Sequence, residues 1–533
     1  MNIQPLLAYP RVLLSLNRFL RRPIDCEESK ALIRRRMEAR EARFLASVAR
    51  HIYGYARSPY LPLLRHAGCE FGDLQGLVHR RGLEYTLQTL RAEGVYFSYE
   101  EFKGMKEVVR GGLTFVVSDS DFDNPFRGAG FEIMTGATHS RGFSVAVTID
   151  FIAEAIAPAL GVTLEAIRGP DPIVLWLAGF PSGAGVSHWL ALGKMRRPPL
   201  RWYSMTDPRG PLVAFRHRRL WEAATMLARA WGIRLPLPEF IPVGEPGPVS
   251  ETVQALRRAH GGCTVMTSPS AAVRLATLAQ RMGESLEGVR ILAMMEPLTP
   301  GKAAEIRRSG AVVFPIYGFS EGGVVGAPCG RPAHTDDMHF LADCYALILN
   351  QRFVEGIGNI DSYMFTSLLT SPRKIMLNVE IDDFGAYERR RCGCVYDDLG
   401  LHDHFAHVRS FTKLTGEGTM VLGRECVPIL EEILPREFGG RSIDYQVLEA
   451  EDERHLTRLF LVISPTVGPI DERRALARFI EELRRAQPRG IRLWLQADSV
   501  RVLRREPVLT PRGKLLPVHT QATLDFEEGA MIR

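Results

Sequence analysis

At 533 residues the chain exceeds the roughly 250–300 at which single hydrophobic cores stop growing, so two or more domains are expected. Hydrophobic residues at 46% and charged residues at 24% are a globular balance and exclude a disordered chain. The net charge of +6 is spread as scattered arginines, which leaves no dense basic block for nucleic acid, and no apolar run reaches the ~18–20 residues that span a bilayer.

The N-terminal "MNIQPLLAYPRVLLSLNRFLRRP" is apolar but broken by Arg11, Asn17 and Arg18, and no small-residue cleavage site follows. It reads as an amphipathic helix packed on the body rather than a signal peptide; a membrane-surface helix is the alternative, weakened by Pro10. Eight cysteines, mostly isolated, are no disulfide framework and fit a reducing, cytoplasmic location. The exception is "RRCGCVYDD", with Cys392 and Cys394 one residue apart.

Residues 27–50 have helical apolar spacing and read as one long helix, and "GLEYTLQTLRAEG" as another, stopped by Gly94. "GGLTFVVSDSD" reads as strand and turn, and "PIVLWLAGFPSG" as a buried strand with a Gly-rich turn. "HRRLWEAATMLARAWGI" is helical. "CTVMTSPSAAVRLATLAQRMG" and "GVRILAMMEPLTPGKAAEIRRSG" both read strand, turn, helix, and "AVVFPIYGFSEGG" reads strand then loop. This alternation predicts an α/β domain with mostly parallel sheets. Ligands bind at the carboxyl ends of such strands, where "TSPS", "MMEPLT" and "YGFSEGG" fall.

The last ~115 residues change character. "VPILEEILPREF" predicts a helix, "SIDYQVLEAEDERHLTRLFLVISP" two strands, "IDERRALARFIEELRRAQ" a helix and "LWLQADSVRVLRR" a strand: a small α+β domain after a glycine-rich boundary in "KLTGEGTMVLG". The three histidines of "LHDHFAHV" read as a polar sheet face, and His188 as a core histidine.

Four segments line up in order: "MTGATHSRGFSV", "YGFSEGG", "MLNVEIDDFG" and "EPVLTPRGKLLPV". Hydroxyls and backbone N–H groups of a glycine turn cradle phosphates, a carboxylate suits Mg²⁺, an acid accepts from ribose hydroxyls, and a lysine neutralises charge on a phosphate. With "TSPSAAVRLA", "MMEPLTP" and "EFKGMKEVVRGG", these segments resemble the adenylate-forming (AMP-binding) superfamily, in its phenylacetate–CoA ligase-like branch.

The resemblance implies a large N-terminal domain over 1–415, helical over 1–105, and a small mobile C-terminal domain over 416–533. It implies ATP- and Mg-dependent activation of a carboxylic acid to acyl-AMP, followed by transfer to coenzyme A or a carrier protein's phosphopantetheine. Thr135, Gly136, Thr138 and Arg141 fall on the phosphate loop, with His139 beside its second glycine. Glu296 lies in the adenine segment. Tyr317 and Gly318 fall at adenine and phosphate, Ser320 at a phosphate, and Glu321 at Mg²⁺. Asp383, or the adjacent Asp382, falls on the ribose acid, and Lys514 on the catalytic lysine. Glu417 takes the place of the hinge acid, with Arg409 the nearest upstream arginine. Some members carry zinc on a Cys, a His and a Cys-x-Cys; Cys329, His339 (or His334), Cys392 and Cys394 correspond.

The pattern departs from the family's at the bulkier "TGATHSRG" loop, at the two methionines that replace glycines in "MMEPLT", and at the hinge. Two other readings therefore stand open: adenylyl transfer without a thioester, and a non-catalytic nucleotide- or acyl-binding partner in a biosynthetic complex.

Overall fold

The computed structural model describes residues 4–134, 144–180, 182–210, 215–354, 358–411, 413–417, 419–487, 490–509 and 515–523. Gln4–Arg21 is a helix that runs through Pro10 and buries Val12, Leu16, Phe19 and Leu20, so the N-terminus packs on the body. The long helix expected over 27–50 breaks at Ala39 into Cys26–Glu38 and Arg40–Val48. Asp25 caps the first of these through a capping box with Glu28. Helix Leu83–Ala92 ends before Gly94, whose φ of +83° requires glycine.

Six parallel strands form the first sheet: β1 (Ile173–Trp176), β2 (Arg201–Ser204), β3 (Glu239–Phe240), β4 (Cys263–Thr267), β5 (Val289–Ala293) and β6 (Val312–Pro315). They lie in the order β6-β5-β4-β1-β2-β3. Both faces are apolar, as a helix-covered parallel sheet demands: Ile173 and Leu175 join one core, Val174 and Trp176 the other. The strand-to-helix turns explain two of the singled-out motifs. Ser268 caps helix Pro269–Arg281 and Thr299 caps Pro300–Arg308, each with proline at the first helical position.

A second sheet stands beside the first and is antiparallel throughout. Its strands are β7 (Tyr317–Phe319), β8 (Gly323–Pro328), β9 (Met338–Phe340), β10 (Tyr345–Val354), β11 (Gly358–Ser367), β12 (Val379–Arg389) and β13 (Asp403–Ser410), in the order β7-β8-β9-β13-β12-β11-β10. Strand–helix alternation does not reveal it, because no helix separates most of these strands. "YGF", expected as loop, is its first edge strand.

The C-terminal part has its own apolar core, from Leu414 to Val518. It follows the hairpin of β14 (Lys413–Gly416) and β15 (Thr419–Leu422). Its four-stranded sheet has the order β18-β17-β16-β19, with β16 Tyr445–Glu451, β17 Thr457–Ile463, β18 Val500–Arg504 and β19 Val518–Thr523. Helix Glu472–Ala486 is as expected, but "LWLQ", read as strand, belongs to helix Gly490–Gln496. Ile491 and Trp494 there lie three residues apart on one buried face, a spacing too short for periodicity to separate from strand.

Leu456, Leu493 and Ala497 reach into the core of the parallel-sheet domain. One polar tie is Glu417. It sits on the β14–β15 turn at a left-handed φ of 54°, is fully buried, and takes two hydrogen bonds from Arg274, at 2.5 and 2.6 Å. The Ser499 hydroxyl also donates to it. Removing one partner of a buried ion pair strands the other's charge, at a cost of roughly 3–5 kcal/mol. Arg274→Ala is therefore expected to lower the urea midpoint of the C-terminal part and to speed tryptic cleavage near 411–418; an unchanged midpoint and digestion rate would show that the pair does not hold the two parts together.

Candidate active site

The "YGFSEGG" segment is a hairpin before it is anything else. A Cβ on Gly318 would lie 2.4 Å from the carbonyl oxygen of Gly323, and one on Gly323, at φ +79°, would lie 2.7 Å from the Phe151 ring. Both glycines are required by close approach, and the turn between them, Ser320–Gly322, carries Glu321. Tyr345 donates to the Gly322 carbonyl from below.

The hairpin brings Tyr317 to Asp383: the phenol donates to Oδ2 at 2.8 Å. Burial, and then this carboxylate, push the phenol well above its ordinary range, so it is a fixed donor. Asp383 is partly open, whereas Asp382 is buried and accepts from Ser410 at 2.6 Å. The two adjacent acids are thereby separated: Asp382 ties β12 to β13, and Asp383 faces Tyr317. Gly385 is pinned by the Ala406 carbonyl and the Tyr363 hydroxyl, each 2.7 Å from where a Cβ would stand.

Glu321 is buried and paired with the ammonium of Lys103, which also reaches Asp119 Oδ1 at 3.3 Å. Lys374 lies on Asp119 at 2.7 Å and on Asp123 at 2.8 Å. Arg373 donates to the Ser320 carbonyl at 2.7 Å and stacks 4.2 Å from the Phe151 ring. Burial pushes Lys103 down, but the carboxylates of Glu321 and Asp119 outweigh it and the net shift is upward. Arg373 is pushed down to about 10 by burial. Among the described residues, three basic and three acidic side chains, Glu321 included, thus gather at the Ser320–Glu321 turn. None of Lys103, Asp119, Arg373 or Lys374 was singled out from the sequence; "EFKG" was noted, but a lone lysine in a charged helix end carries no signal of its own.

Glu296 is engaged within the protein: its carboxylate accepts from the Ser270 amide at 2.5 Å and hydroxyl at 2.9 Å, and Lys302 lies 3.6 Å away. It braces the end of β5 against the helix that follows β4. The preceding Met295 adopts φ +79°, so a methionine holds the left-handed turn in which glycine is the easy residue. His188 is buried, with Nδ1 2.8 Å from the Ala184 carbonyl, as a core histidine. Thr135, Gly136, Thr138, His139, Arg141 and Lys514 lie outside the described residues.

A second cluster lies at the far end of β8. Cys329, His339, Cys392 and Cys394 place their ligand atoms within 4.8 Å of one another. The β8–β9 hairpin, with Ala327 opposite His339, closes the sequence gap between Cys329 and His339. His339 Nδ1 lies 2.8 Å from the Leu401 carbonyl, which orients Nε2 toward the Cys394 and Cys392 sulfurs at 3.0 and 3.4 Å. Hydrogen bonds from Cys329 and His339 pull the Cys394 thiol far down, while Cys329 is pushed up by its hydrogen bond to Cys394 and by burial. Three thiols and an imidazole, with the imidazole's other nitrogen held by a carbonyl, fit tetrahedral zinc. His334 is not in this cluster. His404, assigned to a polar sheet face from sequence, is buried on Asp337 at 2.8 Å, with its ring 4.1 Å from that of His339.

The sequence matches no family model, and no curated protein matches it either. Among solved structures, a 2-hydroxyisobutyryl-CoA ligase in complex with 2-HIB-AMP and CoA in the thioesterification state is 14% identical, over 91% of this chain and 89% of that one, with a TM-score of 0.54. An amide bond synthetase, McbA, from Marinactinospora thermotolerans is 13% identical over 77% and 71%, with a TM-score of 0.40. An o-succinylbenzoate CoA synthetase, MenE, from Bacillus subtilis is 13% identical over 75% and 70%, with a TM-score of 0.42. The first of these likenesses spans both parts of the chain, and with the parallel sheet, the antiparallel sheet and the small C-terminal sheet in sequence it shows that this protein has the adenylate-forming fold.

Proposed function

We propose that the protein activates a carboxylic acid with ATP, forming an acyl-adenylate and pyrophosphate, and passes the acyl group to a thiol, either coenzyme A or a carrier protein's phosphopantetheine. The observation that carries this reading is the meeting of Tyr317 and Asp383 at 2.8 Å beside the turn that bears Ser320 and Glu321, because two of the four nucleotide segments thereby converge within the antiparallel sheet. The fold supports it, since the 2-hydroxyisobutyryl-CoA ligase relative holds an acyl-AMP and CoA. The order of motifs supports the phenylacetate–CoA ligase-like branch.

In this reading Asp383 accepts from the ribose hydroxyls and is held for that by Tyr317, whose ring faces the adenine. Gly318 leaves its backbone open to the nucleotide, and Ser320 meets a phosphate. Thr135, Gly136, Thr138 and Arg141 cradle the remaining phosphates. Glu296 keeps the β4 and β5 ends in register beside the adenine. Lys514, on the small domain that begins at about residue 416, neutralises the α-phosphate as pyrophosphate leaves. Glu321 would hold magnesium: a buried carboxylate that already carries an ammonium is a place suited to positive charge. The metal supplies charge neutralisation on the phosphate oxygens and orientation of the leaving pyrophosphate. We further infer structural zinc at Cys329, His339, Cys392 and Cys394, and a cytoplasmic location, since all eight cysteines are free.

Pyrophosphate release from ATP over a panel of carboxylic acids, with and without coenzyme A, tests the reaction. Release that depends on the acid and falls about 100-fold or more in Lys514→Ala is expected. A product that stays adenylated whatever thiol is added would favour adenylyl transfer, and nucleotide binding without release for any acid would favour a binding partner. Tyr317→Phe is expected to raise KM for ATP severalfold with a smaller change in kcat, because it frees Asp383 without removing a reacting group; equal ATP KM values would remove Asp383 from the nucleotide site. For the metal, protein purified without chelator is expected to contain about one zinc per chain by elemental analysis, and the Cys392→Ser/Cys394→Ser variant almost none. Zinc-free wild type that keeps its melting temperature would discard the zinc reading.

A further inference from the structure

Lys103 stands on the carboxylate to which the metal has been assigned. Its side chain and that of Glu321 are each 9% exposed, so the pair is enclosed rather than a surface contact. The backbone that carries the lysine is held firmly. Lys103 is the C-cap residue that follows helix Tyr99–Phe102, and its ammonium lies 5.1 Å from the centre of the Phe102 ring. The next residue, Gly104, turns at φ +65°, with the Val117 carbonyl 2.9 Å from where a Cβ would be. The lysine reaches acceptors in different parts of the chain, among them Glu321 on the hairpin turn and Asp119 at 3.3 Å on the short helix Asp119–Phe122. Asp119 is also held by Lys374, so that seat stays in place whether or not Lys103 leans on it.

A carboxylate lone pair cannot serve an ammonium and a magnesium ion in one position. A buried carboxylate is costly without positive charge beside it, and Lys103 supplies that charge to Glu321. We propose that Lys103 is the resident counter-ion of Glu321 and yields that carboxylate to the divalent cation arriving with the nucleotide, its ammonium being taken up by Asp119. This rests on the reading of Glu321 as the metal-bearing acid. Lys103 is then a positioning residue. It keeps the Glu321 carboxylate in place when no nucleotide is bound, and it weakens the site for a cation that comes without a triphosphate, because a cation that takes Oε1 must break an enclosed ion pair. The exchange involves no covalent change; one cation replaces another on the same oxygen.

Mn²⁺ titrated into the full-length protein with a non-hydrolysable ATP analogue, with free Mn²⁺ read by electron paramagnetic resonance, tests this. Lys103→Met is expected to lower the Kd for Mn²⁺ about tenfold or more, Lys103→Arg to stay near wild type, and Glu321→Gln to raise it. Lys374→Met removes a neighbouring positive charge from Asp119 and Asp123 and is expected to change the Kd far less. A Lys103→Met value at or above wild type, or equal tightening in Lys374→Met, overturns the exchange while the Glu321→Gln loss leaves the metal reading standing. A Glu321→Gln value equal to wild type overturns the metal reading and the exchange with it. Since Lys103→Met removes a positive charge from beside two buried acids, the Lys103→Gln/Asp119→Asn variant, which keeps the buried charge balanced, is titrated alongside and is expected to bind Mn²⁺ more tightly than wild type.

Discussion

The Gly323 carbonyl occupies the space that a Cβ at position 318 would need, and most of the site follows from that approach. Two strands can close so tightly only where both lack side chains at the crossing. The consequence is a sharp turn at the carboxyl end of the parallel sheet, where the chain leaves β6 and enters a different, antiparallel sheet. Tyr317 then points to β12 and meets Asp383, while Glu321 is carried back toward the N-terminal helices and meets Lys103. Open α/β sheets bind ligands where strand direction and connection change. Here the change is from one sheet to another.

Charges of both signs are gathered around that turn. Lys103, Arg373 and Lys374 face Glu321, Asp119 and Asp123 or the carbonyl of Ser320. Isolated buried charges would be driven neutral, so their pairing is what permits six ionisable groups near one loop. Glu296 follows the same logic at the neighbouring strand end, with both oxygens occupied by Ser270. The cysteine–histidine cluster solves a different problem. It fastens the segment after β12 to the β8–β9 hairpin, and so secures the strand bearing Asp383 at the end away from the site.

Among the described residues the two parts of the chain meet through a small apolar contact, the buried Arg274–Glu417 pair and a hydrogen bond from the Lys302 ammonium to the Thr457 hydroxyl at 2.8 Å. Leu456, Leu493 and Ala497 are few, while Arg274–Glu417 is directional and its carboxylate is fully enclosed. Such a contact lacks the broad apolar face that fixes domains in place. Glu417, read from sequence as the acid of the hinge, sits at that contact in a left-handed conformation.

Local chemistry was legible in the sequence wherever a short segment decides its own structure. Ser268 and Thr299 before proline announce helix starts, Gly94 a helix stop, and buried apolar runs the strands of the parallel sheet. The grouping of Cys392 and Cys394 with Cys329 and His339 was also visible, through residue types and the resemblance. What tertiary structure alone decided is which side chains meet across long separations. The antiparallel sheet has no helical spacer to betray it, and "LWLQ" is too short for its period to tell helix from strand. The choice between Asp382 and Asp383 depends on which one β13 covers. Lys103 lies 218 residues from Glu321, so nothing in either segment points to the other. Residue type and spacing determine local conformation and the kinds of chemistry at hand; the pairing of charges is set by chain crossing and burial, which only the folded chain supplies.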